Sequence, residues 1–361
     1  MKEMEQRKKC KMPICNRRLF LLGCAGGAAV AAVQGENLFA AGKSGFATRG
    51  VVLLTGDLSL TDWPERAARA GLTTLGIHHG SSPQIVIDWV KSPTGQHFLE
   101  QCQKLHLHVE YELHAMRELL PRSLFAKNPE LFRMNEKGER TPDCNCCVHA
   151  GRTLQILAEN ALRIAATLRP TTGRYFYWGD DGQPWCHCRH CRDLSPSEQA
   201  VIVENHISRA LRKSIPKAQV AHLAYTNTFL PPEKVRPEEG VFLEYAPISR
   251  RYDIPYERQQ DPKQKDRLTA LDANLRVFPQ ETAQVLEYWL DVSRFSGWKK
   301  PSKKLPWKKD VFLADLETYR RRGIRHVTSF AAWIDAEYRD RFGDLKFIDE
   351  YGDGLRSIPG S

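Results

Sequence analysis

From residue 50 onward, short runs of β-branched, aromatic and other apolar residues alternate with longer stretches whose apolar positions recur every three to four residues. Eight runs read as strands: 51–56, 73–78, 107–113, 174–179, 219–225, 241–246, 284–290 and 325–330. Between them the helical period predicts helices over 63–70, 95–104, 149–168, 198–214 and 310–322. Strands that alternate with helices predict βα units and a parallel sheet, and eight of them predict a closed (β/α)8 TIM barrel in the α/β class. The roughly 310 residues available suit such a barrel with insertions, for which about 250 is typical. The expected organisation is an export signal over 1–40, a linker over 41–49, the barrel over 50–350 and a tail over 351–361. No internal repeat interrupts this pattern.

In this fold the chemistry gathers at the C-terminal ends of the strands. Strand three ends Glu110-Tyr111-Glu112-Leu113-His114, strand four ends Tyr177-Trp178-Gly179-Asp180-Asp181-Gly182, strand six ends Glu244-Tyr245-Ala246-Pro247, and strand seven carries Glu287-Tyr288-Trp289-Leu290-Asp291. Carboxylates mixed with aromatics suit a sugar: rings stack on the pyranose, carboxylates bind hydroxyls, and a pair of acids serves the glycosidic bond. Two adjacent carboxylates such as Asp180 and Asp181 repel when both ionise, which leaves a proton available for a leaving oxygen. The competing reading of Asp-Asp-Gly is an ordinary turn, with one Asp capping the loop. His78-His79 and His106-x-His108 are weak metal ligands, because adjacent residues of an extended strand point to opposite faces.

Cysteines form a second constellation. Cys186, Cys188 and Cys191 give C-x-C-x2-C directly after the acidic pair, and Cys146, within Cys144-Asn145-Cys146-Cys147, offers a fourth thiolate. Four sulfurs close a tetrahedral structural zinc site. Disulfides are the alternative in an oxidising compartment.

Composition and charge then narrow the class. With 42% hydrophobic residues, 8 Trp, 15 Phe and 11 Tyr, the chain has the material for a packed core. At the N-terminus, basic residues, Arg17-Arg18 and an apolar run of small residues predict an export signal of twin-arginine type, and hence a periplasmic or extracellular protein; a plain secretory signal is the rival. Leu22-Gly23-Cys24 has the look of a lipobox, although it precedes most of the apolar run. That run, residues 19–33, is shorter than the roughly 18 residues a membrane span needs. Loss of residues 1–40 removes seven Lys/Arg and three Asp/Glu and brings the formal charge from +10 to +6, and six lysines fall within 299–309 alone. The rest is formally neutral, which argues against a nucleic-acid binder.

Taken together, Tyr111-Glu112-Leu113-His114-Ala115, Trp178-Gly179-Asp180-Asp181 with Trp185-Cys186-His187-Cys188 and Cys191, Glu244-Tyr245-Ala246-Pro247-Ile248 and Glu287-Tyr288-Trp289-Leu290-Asp291 resemble the bacterial domain of unknown function 4838. That family overlaps glycoside hydrolase family 163. The resemblance implies a barrel glycosidase of the endo-β-N-acetylglucosaminidase kind, acting on a carbohydrate or glycoprotein glycan. It implies a retaining mechanism in which the substrate's own acetamide is the nucleophile, with no cofactor required for catalysis beyond a possible structural zinc. By analogy, Asp180 would orient the acetamide and Asp181 would be the general acid, with Glu244 and Glu287 as reserves. Glu112, His114, Trp178, Tyr245, Trp289 and Asp291 would line the sugar subsites. The alternatives are a glycosidase for another sugar such as a uronic-acid glycoside, a non-catalytic carbohydrate-binding barrel, and a hydrolase built on the Cys/His cluster.

Overall fold

The computed structural model describes residues 45–80, 82–343 and 345–359, so the expected export signal over 1–40 lies outside the described residues. Eight parallel strands close into a barrel in chain order: β1 (Thr48–Leu54), β2 (Thr74–His78), β3 (His108–His114), β4 (Arg174–Trp178), β5 (Gln219–Ala224), β6 (Val241–Tyr245), β7 (Gln284–Glu287) and β8 (His326–Phe330). β8 pairs back onto β1, with Thr48 opposite His326 and Val52 opposite Phe330. Every run expected to be a strand is one, with ends that differ by a few residues.

The strands are buried on both faces, as a parallel barrel requires. Alternate residues therefore divide between the barrel interior and the layer under the helices. On β4, Arg174, Phe176 and Trp178 point inward, where the Arg174 guanidinium lies 3.9 Å from the centre of the Phe242 ring and Phe176 packs edge-on to the same ring. On β6 and β7, Glu244 and Gln284 point inward and bond to each other, Gln284 Nε2 donating to Glu244 Oε1 at 3.1 Å.

The outer layer holds helices Trp63–Arg69, Pro83–Lys91, Pro93–Lys104, Thr153–Thr167, Pro196–Ser214, Pro262–Asn274, Lys309–Arg320, Ala336–Phe342 and Lys346–Ser357. Helix Pro196–Ser214 begins with a capping box, in which Ser195 and Glu198 bond reciprocally. Both expected barrel boundaries shift outward. Phe46 is wholly buried and β1 begins at Thr48, inside the segment expected to be a linker. The last helix carries wholly buried Tyr351 and Leu355 past residue 350, and the Tyr351 hydroxyl donates to the Gly50 carbonyl at 2.8 Å. The expected tail thus begins in the middle of a helix that caps the barrel wall.

Candidate active site

At the C-terminal mouth of the barrel lies a cavity of about 300 Å³, lined from the ends of β1, β2, β3, β4, β5, β7 and β8 and from the loops that follow. Its rings belong to His78, His114, Trp178, Tyr225, Tyr288, Trp298 and Phe330. His114 packs 5.1 Å from Trp178 and 5.9 Å from His78, and Tyr288 stacks on Phe330 at 5.4 Å. His78 Nδ1 donates to the Glu112 carbonyl and His114 Nδ1 to the Gly179 carbonyl, both at 2.6 Å. These bonds fix both rings, because a carbonyl only accepts. Burial, reinforced by His114, holds His78 neutral by lowering its pKa to about 3.

Two carboxylates reach this cavity. Asp181 is exposed and follows β4; Asp291 is buried and follows β7. Asp291 Oδ1 accepts from the Ser293 hydroxyl at 2.5 Å and from the Arg294 amide at 3.1 Å, which caps the short helix Val292–Phe295. Burial raises the Asp291 carboxyl above its ordinary range, while the Ser293 and Arg294 contacts pull the other way. Tyr225 stands beside both in the chamber lining, and burial followed by the charges of Asp181 and Asp291 pushes its phenol well up.

A second cavity, of about 580 Å³, adjoins the first and shares Gly80, His114 and Asp181 with it; Arg117, Asp143 and Gln183 make it polar. Asp181 therefore stands where an aromatic-lined chamber meets a polar one. Over the first chamber stands Trp298, 64% exposed, with its backbone in the left-handed region at φ 55°. A bulky residue rarely adopts that conformation or that exposure without a reason.

Of the side chains expected here, His114, Trp178, Asp181 and Asp291 do line the aromatic chamber. Asp180 does not. Its Oδ2 accepts from Arg122 Nη2 at 2.8 Å and from the Asn145 amide at 2.7 Å, and it borders the polar cavity. Gly179, just before it, leaves room for Asn145 and Trp185, whose atoms lie 3.0 Å from where a Cβ would stand.

Glu112 and Glu244 are fully buried in the barrel interior. Glu244 Oε2 accepts from Trp178 Nε1 at 2.8 Å and so anchors the Trp178 ring from within the barrel. Burial first, offset partly by Trp178 and Arg174, pushes Glu244 up to about 8.

Glu287, Tyr245 and Trp289 are corrected outright, because they belong to the opposite parity and point through the barrel wall. Glu287 is held by buried Arg250 at 3.1 Å and by Tyr252 at 2.8 Å. The Tyr245 hydroxyl donates to the Arg267 carbonyl at 2.9 Å, and Trp289 Nε1 donates to Asp315 at 3.0 Å. Residues not expected at the site are His78 as a wall, Tyr225, Tyr288, Ser293, Trp298 and Phe330. Tyr225 and Phe330 end predicted strands; Trp298 follows Gly297 in a turn and carries no strand signal.

The cysteine cluster is also corrected in one member. Cys147, not Cys146, joins Cys186, Cys188 and Cys191; the four sulfurs lie within 4.8 Å of one another, and all four residues are buried. Among the described residues this is the one group placed to hold a metal, and it is built from the loops before helices Thr153–Thr167 and Pro196–Ser214. None of its members lines the aromatic chamber.

The fold and the site define a (β/α)8 barrel with an acid-bearing, aromatic-walled chamber at the C-terminal end of its strands. The family model described as domain of unknown function DUF4838 matches residues 82–289, more than half of the chain, and the chain belongs to that family. No curated protein matches the sequence. Among solved structures, the chain is similar in fold to a catalytic mutant of Gan42B, a GH42 β-galactosidase from G. stearothermophilus, with 12% identity and a TM-score of 0.55 over 89% of this chain and 58% of that one. A cold-adapted β-galactosidase from Rahnella sp. R3 is similar at 13% identity and a TM-score of 0.55, over 88% of this chain and 56% of that one. The chain thus spans less than two thirds of the length of either enzyme.

Proposed function

We propose that the protein hydrolyses a glycosidic bond, with Asp181 as general acid and Asp291 as the second carboxyl group. The observation that carries this reading is the position of Asp181 on the boundary between the two cavities. A glycosidic oxygen joins two sugars, and a proton delivered to it has to arrive between their subsites. The aromatic chamber is at the lower end of ligand-pocket volumes and suits one pyranose ring, with Trp298 and the Tyr288–Phe330 stack offering ring faces. The polar cavity suits the leaving group.

The finer reading is a β-linked N-acetylhexosaminide, cleaved with the acetamide oxygen as nucleophile. The motif resemblance supports it, and so does Asp291. A carboxyl group whose burial disfavours its charge is a poor nucleophile in the resting site, yet it is well placed to stabilise positive charge that develops beside it. Asp291 then takes the acetamide-orienting role first assigned to Asp180. The carbohydrate would be met outside the cytoplasm, in keeping with the twin-arginine-like leader. The test is release of aryl leaving groups from a panel of β-glycosides covering N-acetylglucosaminide, galactoside, glucoside, mannoside and glucuronide. Turnover confined to hexosaminides is expected; turnover confined to a sugar without an acetamide removes the substrate-assisted version, and binding without turnover on the whole panel removes hydrolysis.

A further inference from the structure

We propose that Cys147, Cys186, Cys188 and Cys191 bind a zinc ion, and that the ion locks the loop presenting Asp181 at the junction of the two cavities. The metal assignment stands independently of the hydrolytic reading. Cys147 Sγ lies 3.7 Å from Cys188 Sγ and 3.8 Å from Cys191 Sγ. Zn–S bonds of about 2.3 Å in a tetrahedron place the sulfurs about 3.8 Å apart, whereas a disulfide requires about 2.0 Å. Two of the six edges of the cluster thus have the length found in a four-sulfur zinc site, and all six lie within 4.8 Å.

Its surroundings suit thiolates. The Met134 amide donates to Cys186 Sγ at 3.3 Å, the Cys188 amide to the same sulfur at 3.5 Å, and Arg140 Nη1 approaches it at 3.7 Å. His149 Nδ1 lies 3.3 Å from Cys191 Sγ. Donors of this kind offset the excess negative charge of a dication held by four thiolates and orient its ligands. With all four positions filled by protein, the site is closed and structural, with no position for a reacting water.

The link to Asp181 runs through Asn145, two residues before Cys147. Asn145 sits in the left-handed region at φ 42°, which Asn tolerates. Its amide donates to Asp180 Oδ2 at 2.7 Å, its Oδ1 accepts from the Asp180 amide at 2.9 Å, and its Nδ2 donates to the carbonyls of Gln183 at 3.0 Å and Pro184 at 2.9 Å. The turn over 180–184 is thus gripped by a residue tied to one ligand and is followed at once by another, Cys186. The ion joins two loops that are otherwise far apart in the chain, and the grip on the acid-bearing turn depends on that junction.

Elemental analysis of the purified full chain, after dialysis against metal-free buffer without chelator, is expected to find about one zinc per chain. Cys147→Ser is expected to lose it, and Cys102→Ala and Cys146→Ala to keep it. A metal-free wild-type chain, iron in place of zinc, or a disulfide mapped among the four sulfurs overturns the assignment. For the link, Asn145→Gly keeps the backbone conformation accessible and leaves every ligand in place. Amide hydrogen exchange over 180–184 is expected to quicken at least about tenfold in the zinc-loaded Asn145→Gly chain, with the β-strand amides unchanged. Unchanged exchange in that turn overturns the link while leaving the metal site standing. Neither measurement involves a sugar substrate, so its outcome is separate from that of the glycosidase test.

Discussion

Replacing Asp181 by Asn tests the proposed chemistry most directly, because the change removes a titratable proton and almost nothing else. Asp181 is exposed, and an Asn side chain has the same shape and keeps an oxygen facing the cavities. The thermal midpoint should therefore move by no more than about 0.5 kcal/mol in stability. Loss of a general acid costs about 10²–10⁴ in rate, equivalent to roughly 2.7–5.5 kcal/mol of barrier at about 1.36 kcal/mol per decade. The loss should depend on the leaving group. An activated aryl glycoside departs with little need of a proton, so its kcat should fall least, while an alkyl or sugar leaving group should show the full deficit. The assay is kcat/KM for Asp181→Asn and the parent chain across a series of glycosides of rising leaving-group pKa. A uniform loss across the series, or activity within threefold of the parent on the poorest leaving group, refutes the assignment. Asp180→Asn makes the contrasting case. It removes the charge that pairs with Arg122 and leaves a neutral oxygen to accept from Arg122 and the Asn145 amide, so it should lower stability by about 1–3 kcal/mol and reduce activity equally for all leaving groups.

Trp298→Ala should leave the thermal midpoint nearly unchanged, since the ring is 64% exposed, and should raise KM by about five- to tenfold, the worth of a stacking contact of about 1–1.5 kcal/mol; an unchanged KM removes the ring from the subsite. Arg250→Met should destabilise the fold by about 3–5 kcal/mol, measured by urea denaturation, because it leaves Glu287 and Asp315 buried without their cation. The residual folded fraction should keep its kcat, and a selective loss of kcat would return Glu287 to the catalytic list. Stability should fall as pH rises from about 4.5 to about 8: burial keeps Glu244 protonated up to about 8 in the folded chain, and the unfolded chain has already released that proton. The stabilisation is complete below the unfolded pKa and lost through the folded one, so Glu244→Gln should make the fall of the urea midpoint between pH 5 and pH 8.5 shallower, with buried Asp57, also raised to about 8, supplying part of what remains; an equal slope in the variant contradicts the burial argument.

The strands and the closure of the barrel were legible because both faces of each strand are apolar enough to stand out, and because helical periods separate them. The acids at the strand ends were legible as a set but not individually. Glu287-Tyr288-Trp289 shows why. Side chains of an extended segment alternate, so all three cannot face one cavity. Tyr288 lines the chamber; that fact sends Glu287 and Trp289 outward, where Arg250 and Asp315 receive them. The same alternation turns Tyr245 outward and Glu244 inward. Parity divides a strand into two sets without saying which is the interior one, and Arg250, which settles the matter, lies 37 residues from Glu287. The choice between Cys146 and Cys147 had the same character: neighbours in the chain, both buried, and separated only by the loop conformation around Asn145 at φ 42°.

Asp181 and Asp291 escape this ambiguity because neither belongs to a strand. Each follows the end of one, where the alternation lapses and a turn sets the direction of the side chain. Asp291 is oriented by capping Val292–Phe295 through Ser293 and Arg294. Asp181 is oriented by its neighbour, since Asp180 is the residue that Arg122 and Asn145 seize. The adjacent pair thus divides the work, one carboxylate fastening the turn and the other freed by that fastening to face both cavities. Like-charge repulsion between the two is relieved by the Arg122 guanidinium and the Asn145 amide on Asp180. Any proton Asp181 delivers to a leaving group is replaced from solvent, either directly through its exposed face or by relay through the Tyr225 hydroxyl, which takes up one proton as it passes on another. Tyr225→Phe separates the two routes: an unchanged pH profile for kcat assigns the supply to solvent, and a displaced alkaline limb, where loss of the acid's proton ends turnover, assigns it to the phenol.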